Sequence, residues 1–216
     1  MTDIPIIFSA PMVVALLAGR KTMTRRLAWR DQTEKQEAAD IRSGCHPHLL
    51  PSLWQRVKPG DRLWVRENLC TMGNWGLWHD ATPAPKQGQF LDDLDPRGRA
   101  ILDKYAPTEA TDSALVPSIY MPRWASRLTL VVTATKIERL CEITEVDAEA
   151  EGVELPKHMS SLDRGAYRHC FHVLWCTLHG KGPADPAPWV ANPDVVALTF
   201  TVHKQNIDTL PSAAAA

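Results

Sequence analysis

Between Leu128 and Thr133 the chain alternates. Leu128, Leu130 and Val132 fall on one side of an extended backbone, and Thr129, Val131 and Thr133 on the other. A period of two is the pattern of a strand with one face in a core and the other turned away from it. It places a long strand in the second part of residues 118–140, after an opening loop, and commits the chain to a sheet. Three shorter segments fit that sheet. "PIIFS" near the start is a brief apolar strand. "KPGDRLWVREN" (58–68) makes a turn at Pro59-Gly60-Asp61 and then alternates Leu63 and Val65 with Trp64 and Arg66. "PDVVALTFTVHK" (193–204) is the last strand.

Helices lie between these strands. Ser9 can cap a helix with Pro11 in its first turn and Met12, Val13, Leu16 and Leu17 on one apolar face, and Gly19 stops it. "EITEVDAEAEGV" reads as a short helix capped by Thr144, with Asp147 three residues on and Gly152 at its end. The clearest helix spans 163–180, with Tyr167, Phe171, Leu174, Trp175 and Leu178 as its buried stripe. Residues 28–57 and 70–117 show no clear period apart from a weakly helical run at 97–105, and read as insertions. Short strands, loops and a few helices predict an α+β fold, a small β-barrel with helices around it. One domain over 1–210 is expected, with 211–216 a tail.

Lys plus Arg is 24 and Asp plus Glu is 25, a net charge of −1. That disfavours a protein that coats nucleic acid non-specifically and leaves room for a local basic site. Five cysteines with no C-x-x-C, no signal peptide and no membrane-length apolar run predict a reduced, cytoplasmic protein with no membrane partner, and a monomer is expected.

The local basic site is "GRKTMTRR" (19–26), at the end of the first helix. Amide hydrolysis needs a nucleophile, a base and donors for an oxyanion. Thr24 can supply the hydroxyl. Lys21 can serve as base if burial or neighbouring cations (Arg20, Arg25, Arg26) keep it neutral. Positions 21 and 24 meet only if the chain turns at Lys21 and extends at Thr24, after which Thr24 and Arg26 share a strand face. A solvated basic turn is the plain alternative. Glu151 stands at a helix C-terminus, where the dipole disfavours a carboxylate. Glu149 is roughly 200° away on the same helix, so only one of the two can face the site. Glu67 can accept from an amine or hold Arg26, or form a pair with a nearby Arg. Arg123 and Trp124 offer a guanidinium and a ring that suit a nucleobase, and Trp124 fits a core position equally well. The stripe His169, His172, Cys176 and His179 and the "CHPH" at 45–48 are weak as metal sites, so no metal or cofactor is expected.

The order of "GRKTMTRR", "PGDRLWVRE", "YMPRWASRLTLVVT", "EITEVDAEAEGV" and "DVVALTF" resembles the ASCH domain of the PUA-like superfamily, over about half the chain and in that family's order. The long insertions resemble its larger phage and prophage members. The resemblance implies a PUA-like barrel, with RNA as a candidate partner. It also implies the activity of members that remove the acyl group from N4-acetylcytidine and related N4-acylated cytosines. Their catalytic lysine, threonine and glutamate match Lys21, Thr24 and Glu151. Arg26, Trp64, Glu67, Arg123 and Trp124 are then the expected contacts to a modified nucleoside or nucleobase. An RNA-binding module without chemistry and a ribonuclease using the same cleft are the alternatives.

Overall fold

The structure, a computed structural model, describes residues 1–31, 49–72, 77–81, 113–161, 163–179 and 188–211, with single positions at 96, 100 and 104. Among these residues the strands are β1 (Asp3–Ile7), β2 (Met23–Leu27), β3 (Trp29–Asp31), β4 (Leu49–Pro51), β5 (Arg62–Arg66), β6 (Leu69–Met72), β7 (Leu77–His79), β8 (Ser113–Val116), β9 (Thr129–Arg139) and β10 (Asp194–His203). The α-helices are α1 (Ala10–Leu17), α2 (Glu145–Ala150) and α3 (Ala166–His179). None is long and apolar enough to cross a membrane. The fold is mixed α/β. The main sheet has the hydrogen-bonded order β1-β5-β9-β10-β2. Among the described residues it is an open sheet, in place of the closed barrel expected from the sequence.

The chain divides into two compact units, Met1–Gly19 with Asp61–Val131 and Thr201–Ala216, and Arg20–Gly60 with Val132–Phe200. In the first unit β1 runs parallel to β5, Asp3 opposite Arg62 and Ile7 opposite Arg66. β5 then pairs antiparallel with the start of β9. The predicted alternation is realised, with Ile6, Leu63, Val65, Leu128 and Leu130 buried. Thr129 departs from it, since it is also buried and its Oγ1 donates to the Gln205 carbonyl at 3.0 Å. The ends of the supposed 70–117 insertion are strands. β6 pairs with β7 and β8 in a three-stranded sheet. The weakly helical run at 97–105 falls outside the described residues apart from Ala100 and Lys104.

In the second unit β2 pairs antiparallel with β10, Met23 opposite Thr199 and Leu27 opposite Val195. The supposed 28–57 insertion holds the β3–β4 pair and a 3₁₀-helix, Leu53–Arg56. α2 begins where expected, since the Asp147 amide donates to Thr144 Oγ1 at 3.1 Å. It ends where Gly152, at φ 80°, lets the chain leave the helix. The core here is Leu140, Ile143, Ala148, Phe171, Trp175 and Val195. Tyr167 and Leu174 pack against it from the same helix, whereas Leu178, expected in the stripe, is 49 % exposed. The stripe fades before the last turn of α3, because Ala166, Phe171 and Trp175 already fill the contact with the core.

Leu140→Ala should therefore lower the unfolding free energy by about 2–5 kcal/mol in urea titrations. Leu178→Ala should change it by no more than about 0.5 kcal/mol.

Candidate active site

Only part of the basic stretch stays in solvent. Lys21 is 2 % exposed, Thr24 1 % and Glu151 3 %. The chain leaves α1 through Gly19 at φ 72°. The Thr22 amide donates to the Ala150 carbonyl at 2.9 Å, and the Thr22 carbonyl accepts from the Phe200 amide at 3.0 Å. These two bonds fasten the residue after Lys21 to the end of α2 on one side and to β10 on the other. The chain extends as β2 from Met23, so the extension expected at Thr24 is present, while the turn falls at Ala18-Gly19, two residues before Lys21.

Lys21 Nζ donates to the Glu151 main-chain carbonyl at 2.7 Å and to Glu151 Oε2 at 2.8 Å. The lysine thus caps the C-terminus of α2 and pairs with its last acid. Burial pushes the Lys21 ammonium below its ordinary pKa of 10.5; the Glu151 carboxylate opposes that shift, and the charges of Arg26 and Arg25 add to it. Thr24 and Arg26 share a strand face as expected, and Arg26 Nη1 donates to Thr24 Oγ1 at 2.9 Å. Burial acts on the Arg26 guanidinium in the same direction, again opposed by Glu151. Lys21, Glu151, Arg26 and Thr24 therefore form one electrostatic neighbourhood. Glu149, the competing acid, is exposed.

Arg25 holds the other Glu151 oxygen. Its side chain is fully buried and reaches Glu138 Oε1 at 2.6 Å, Asp147 Oδ2 at 3.0 Å and Glu151 Oε1 at 3.2 Å. Glu138 also accepts from Lys136 Nζ at 2.8 Å. Both Glu151 oxygens are thus occupied by cations from the basic stretch, one from Lys21 and one from Arg25. Arg20, expected among the cations near Lys21, is instead exposed and pairs with Glu154 at 2.7 Å.

The remaining expected contacts belong to the first unit. Glu67 is buried and pairs with Arg127, Nε to Oε1 at 2.8 Å and Nη2 to Oε2 at 2.8 Å, in place of the Arg26 partner considered from sequence. His79 Nε2 lies 4.0 Å from Glu67 Oε1, and burial holds this imidazole below its usual range. Arg123 is taken up by Asp3 at 2.6 Å and Asp208 at 2.7 Å. Trp64 lies under the Arg66 guanidinium, 5.4 Å from its ring centre. Trp124 carries a buried Nε1 with no hydrogen-bond partner. On α3, His172 packs on Trp189 and His179 stacks on Trp175, while Cys176 is exposed. No group of three or more metal-ligating side chains occurs among the described residues. The "CHPH" at 45–48 lies outside them.

Sequence reasoning missed Glu138, Asp147 and Trp54 as neighbours of the basic stretch. Glu138 could have been suspected, because it follows Lys136 by two on a strand and so shares its face. Trp54 sits in a segment without period and gave no such signal. Comparisons with family models, with curated proteins and with solved structures returned no match.

Removing one member of a buried ion pair strands the other charge. Lys21→Met and Glu151→Leu should each cost about 3–5 kcal/mol in urea titrations, and the double variant less than the sum of the two. Between the lowered native value and 10.5 the unfolded chain holds a proton on Lys21 that the folded chain does not. The stability of the native protein relative to Lys21→Met should therefore rise with pH across that window. A flat difference contradicts the assignment.

Proposed function

We propose that this chain is an amidohydrolase that removes the N4-acyl group from N4-acetylcytidine and related N4-acylated cytosines, on a PUA-like domain of the ASCH type. The observation that carries the reading is the burial of Lys21 with its pKa lowered, held by Glu151, in the same neighbourhood as the buried Thr24 hydroxyl and Arg26. A buried lysine paired with a glutamate is a poor way to gain stability, because desolvation offsets most of the attraction. It is a good way to hold an amine near neutrality.

In this scheme two N–H bonds of Lys21 are directed to Glu151, and the third position at Nζ exchanges the proton. Neutral Lys21 takes the Thr24 proton as Oγ1 attacks the acyl carbonyl carbon. The hydrogen bond from Arg26 lowers the cost of charge on Oγ1, and its guanidinium stabilises the oxyanion. Collapse breaks the C–N4 bond, and the Lys21 ammonium returns the proton to the leaving amine, which departs as cytidine. Water, deprotonated by Lys21, then attacks the threonyl ester, the C–Oγ1 bond breaks, and Lys21 returns that proton to Thr24 Oγ1 as the carboxylic acid leaves. Glu151 fixes the amine and balances its charge while it carries the proton.

Thr24→Val, which keeps the shape and removes the hydroxyl, should abolish release of cytidine from N4-acetylcytidine, while Thr24→Ser retains it. Lys21→Arg keeps a cation but loses the base, and kcat should fall at least about a hundredfold. If the wild type releases no cytidine but binds RNA with steep salt dependence that survives Thr24→Val, the chain is a binding module and the hydrolase reading is wrong.

A further inference from the structure

Trp54 stands on the 3₁₀-helix Leu53–Arg56, and that helix is fastened to the end of β2. Ser52 Oγ donates to the Leu27 carbonyl at 2.7 Å, the Ser52 amide donates to the Ala28 carbonyl at 2.8 Å, and Gln55 Nε2 donates to the same carbonyl. The strand that presents Thr24 and Arg26 therefore also positions Trp54. The ring is half-buried, with the Arg26 guanidinium 5.8 Å from its centre. The same guanidinium donates to Thr24 Oγ1. One side chain thus lies against both the indole and the hydroxyl.

Thr24 is too buried for a substrate to reach unless a neighbour yields. Arg26 is the long, half-buried side chain against it, and a shift of its guanidinium off the indole that keeps Nη1 on Thr24 Oγ1 would open the indole face beside the hydroxyl. A cytosine stacked on that face would carry its acyl carbon one ring radius and two bonds from the ring centre. An acylated cytosine is a planar, electron-poor ring, which an indole face suits. We infer that Trp54 is the stacking wall for the substrate base, and that the Arg26 guanidinium covers this wall until a planar nucleobase takes its place. The inference rests on the hydrolase reading for the identity of the base and on the geometry of β2 for the wall. Trp54 is a binding and positioning residue in this account, and the chemistry stays with Lys21 and Thr24.

The test is steady-state kinetics on N4-acetylcytidine for Trp54→Phe, Trp54→Leu and Trp54→Ala. It is paired with calorimetric titration of cytidine into Thr24→Val and into Thr24→Val combined with Trp54→Leu. Loss of the stack should raise KM by about 5- to 150-fold in the Leu and Ala variants, more than it alters kcat. Trp54→Phe, which keeps a π-face, should restore KM to within a few-fold. Cytidine affinity should fall by a similar factor in the double variant. Unchanged KM and unchanged cytidine affinity in Trp54→Leu overturn the inference, and Trp54→Leu decides the matter if Trp54→Ala does not fold. A wild type that binds cytidine through Trp54 but hydrolyses nothing removes the hydrolase reading and keeps the wall. Hydrolysis with a KM indifferent to Trp54 does the reverse. A wild type that neither binds cytidine nor hydrolyses its acyl derivative removes both.

Discussion

The carboxylate of Glu151 sits where a helix end disfavours negative charge, and it is stable there because two cations from one short stretch close on it. Lys21 takes Oε2 and the main-chain carbonyl, and Arg25 takes Oε1. The ammonium answers the unfavourable dipole at the end of α2, since a cation is favoured at a helix C-terminus. Arg25 in turn draws Glu138 of β9 and Asp147 of α2 to the same point. The turn after α1, the end of α2 and the course of β2 are thus set by one buried charge balance. Loss of any member leaves a charge in a dry place.

In the proposed reading, that balance also sets the chemistry. Carboxylates alone would hold Lys21 as a fixed ammonium, and burial alone would leave it without orientation. Desolvation outweighs the pull of Glu151, and the neighbouring guanidinium charges add to it, so the lysine is shifted toward neutrality while its direction stays fixed by two hydrogen bonds. Arg26 contributes to that shift and reaches the Thr24 hydroxyl from the same strand face. In the proposed hydrolysis, the lysine as base and the hydroxyl beside a cation are the two elements that acyl transfer needs first.

Much of this was legible before any coordinates. Gly19, the capping of α2 by Thr144 and the alternation of β5 and β9 follow from local rules, and the structure places them where those rules do. The face shared by Thr24 and Arg26 follows from a period of two. Glu151 could be preferred over Glu149 because only one of them can face inward. What could not be read was long-range. Arg25 looked like one more cation near Lys21, yet it is the centre of three ion pairs with acids 113 to 126 residues away. Glu67 found Arg127, which no local pattern ties to it. The stretches around β3, β4 and β6–β8 show no period in the sequence because three- and four-residue strands carry too few alternations to register as one. Helical periodicity groups Leu178 with the core stripe because it shows which residues share a face and does not show where along the helix the neighbour ends.

The central claim is that Lys21 is held below the ordinary lysine range by its burial among these charges. Protein labelled with ¹³C at lysine Cε, with the Lys21 signal assigned by its loss in Lys21→Arg, allows that residue to be titrated by NMR. The account predicts that the Lys21 signal titrates below 10.5. A Lys21 signal that titrates at or above 10.5 would mean that Glu151 simply stabilises the ammonium, and the lysine would then be a helix cap and not a base.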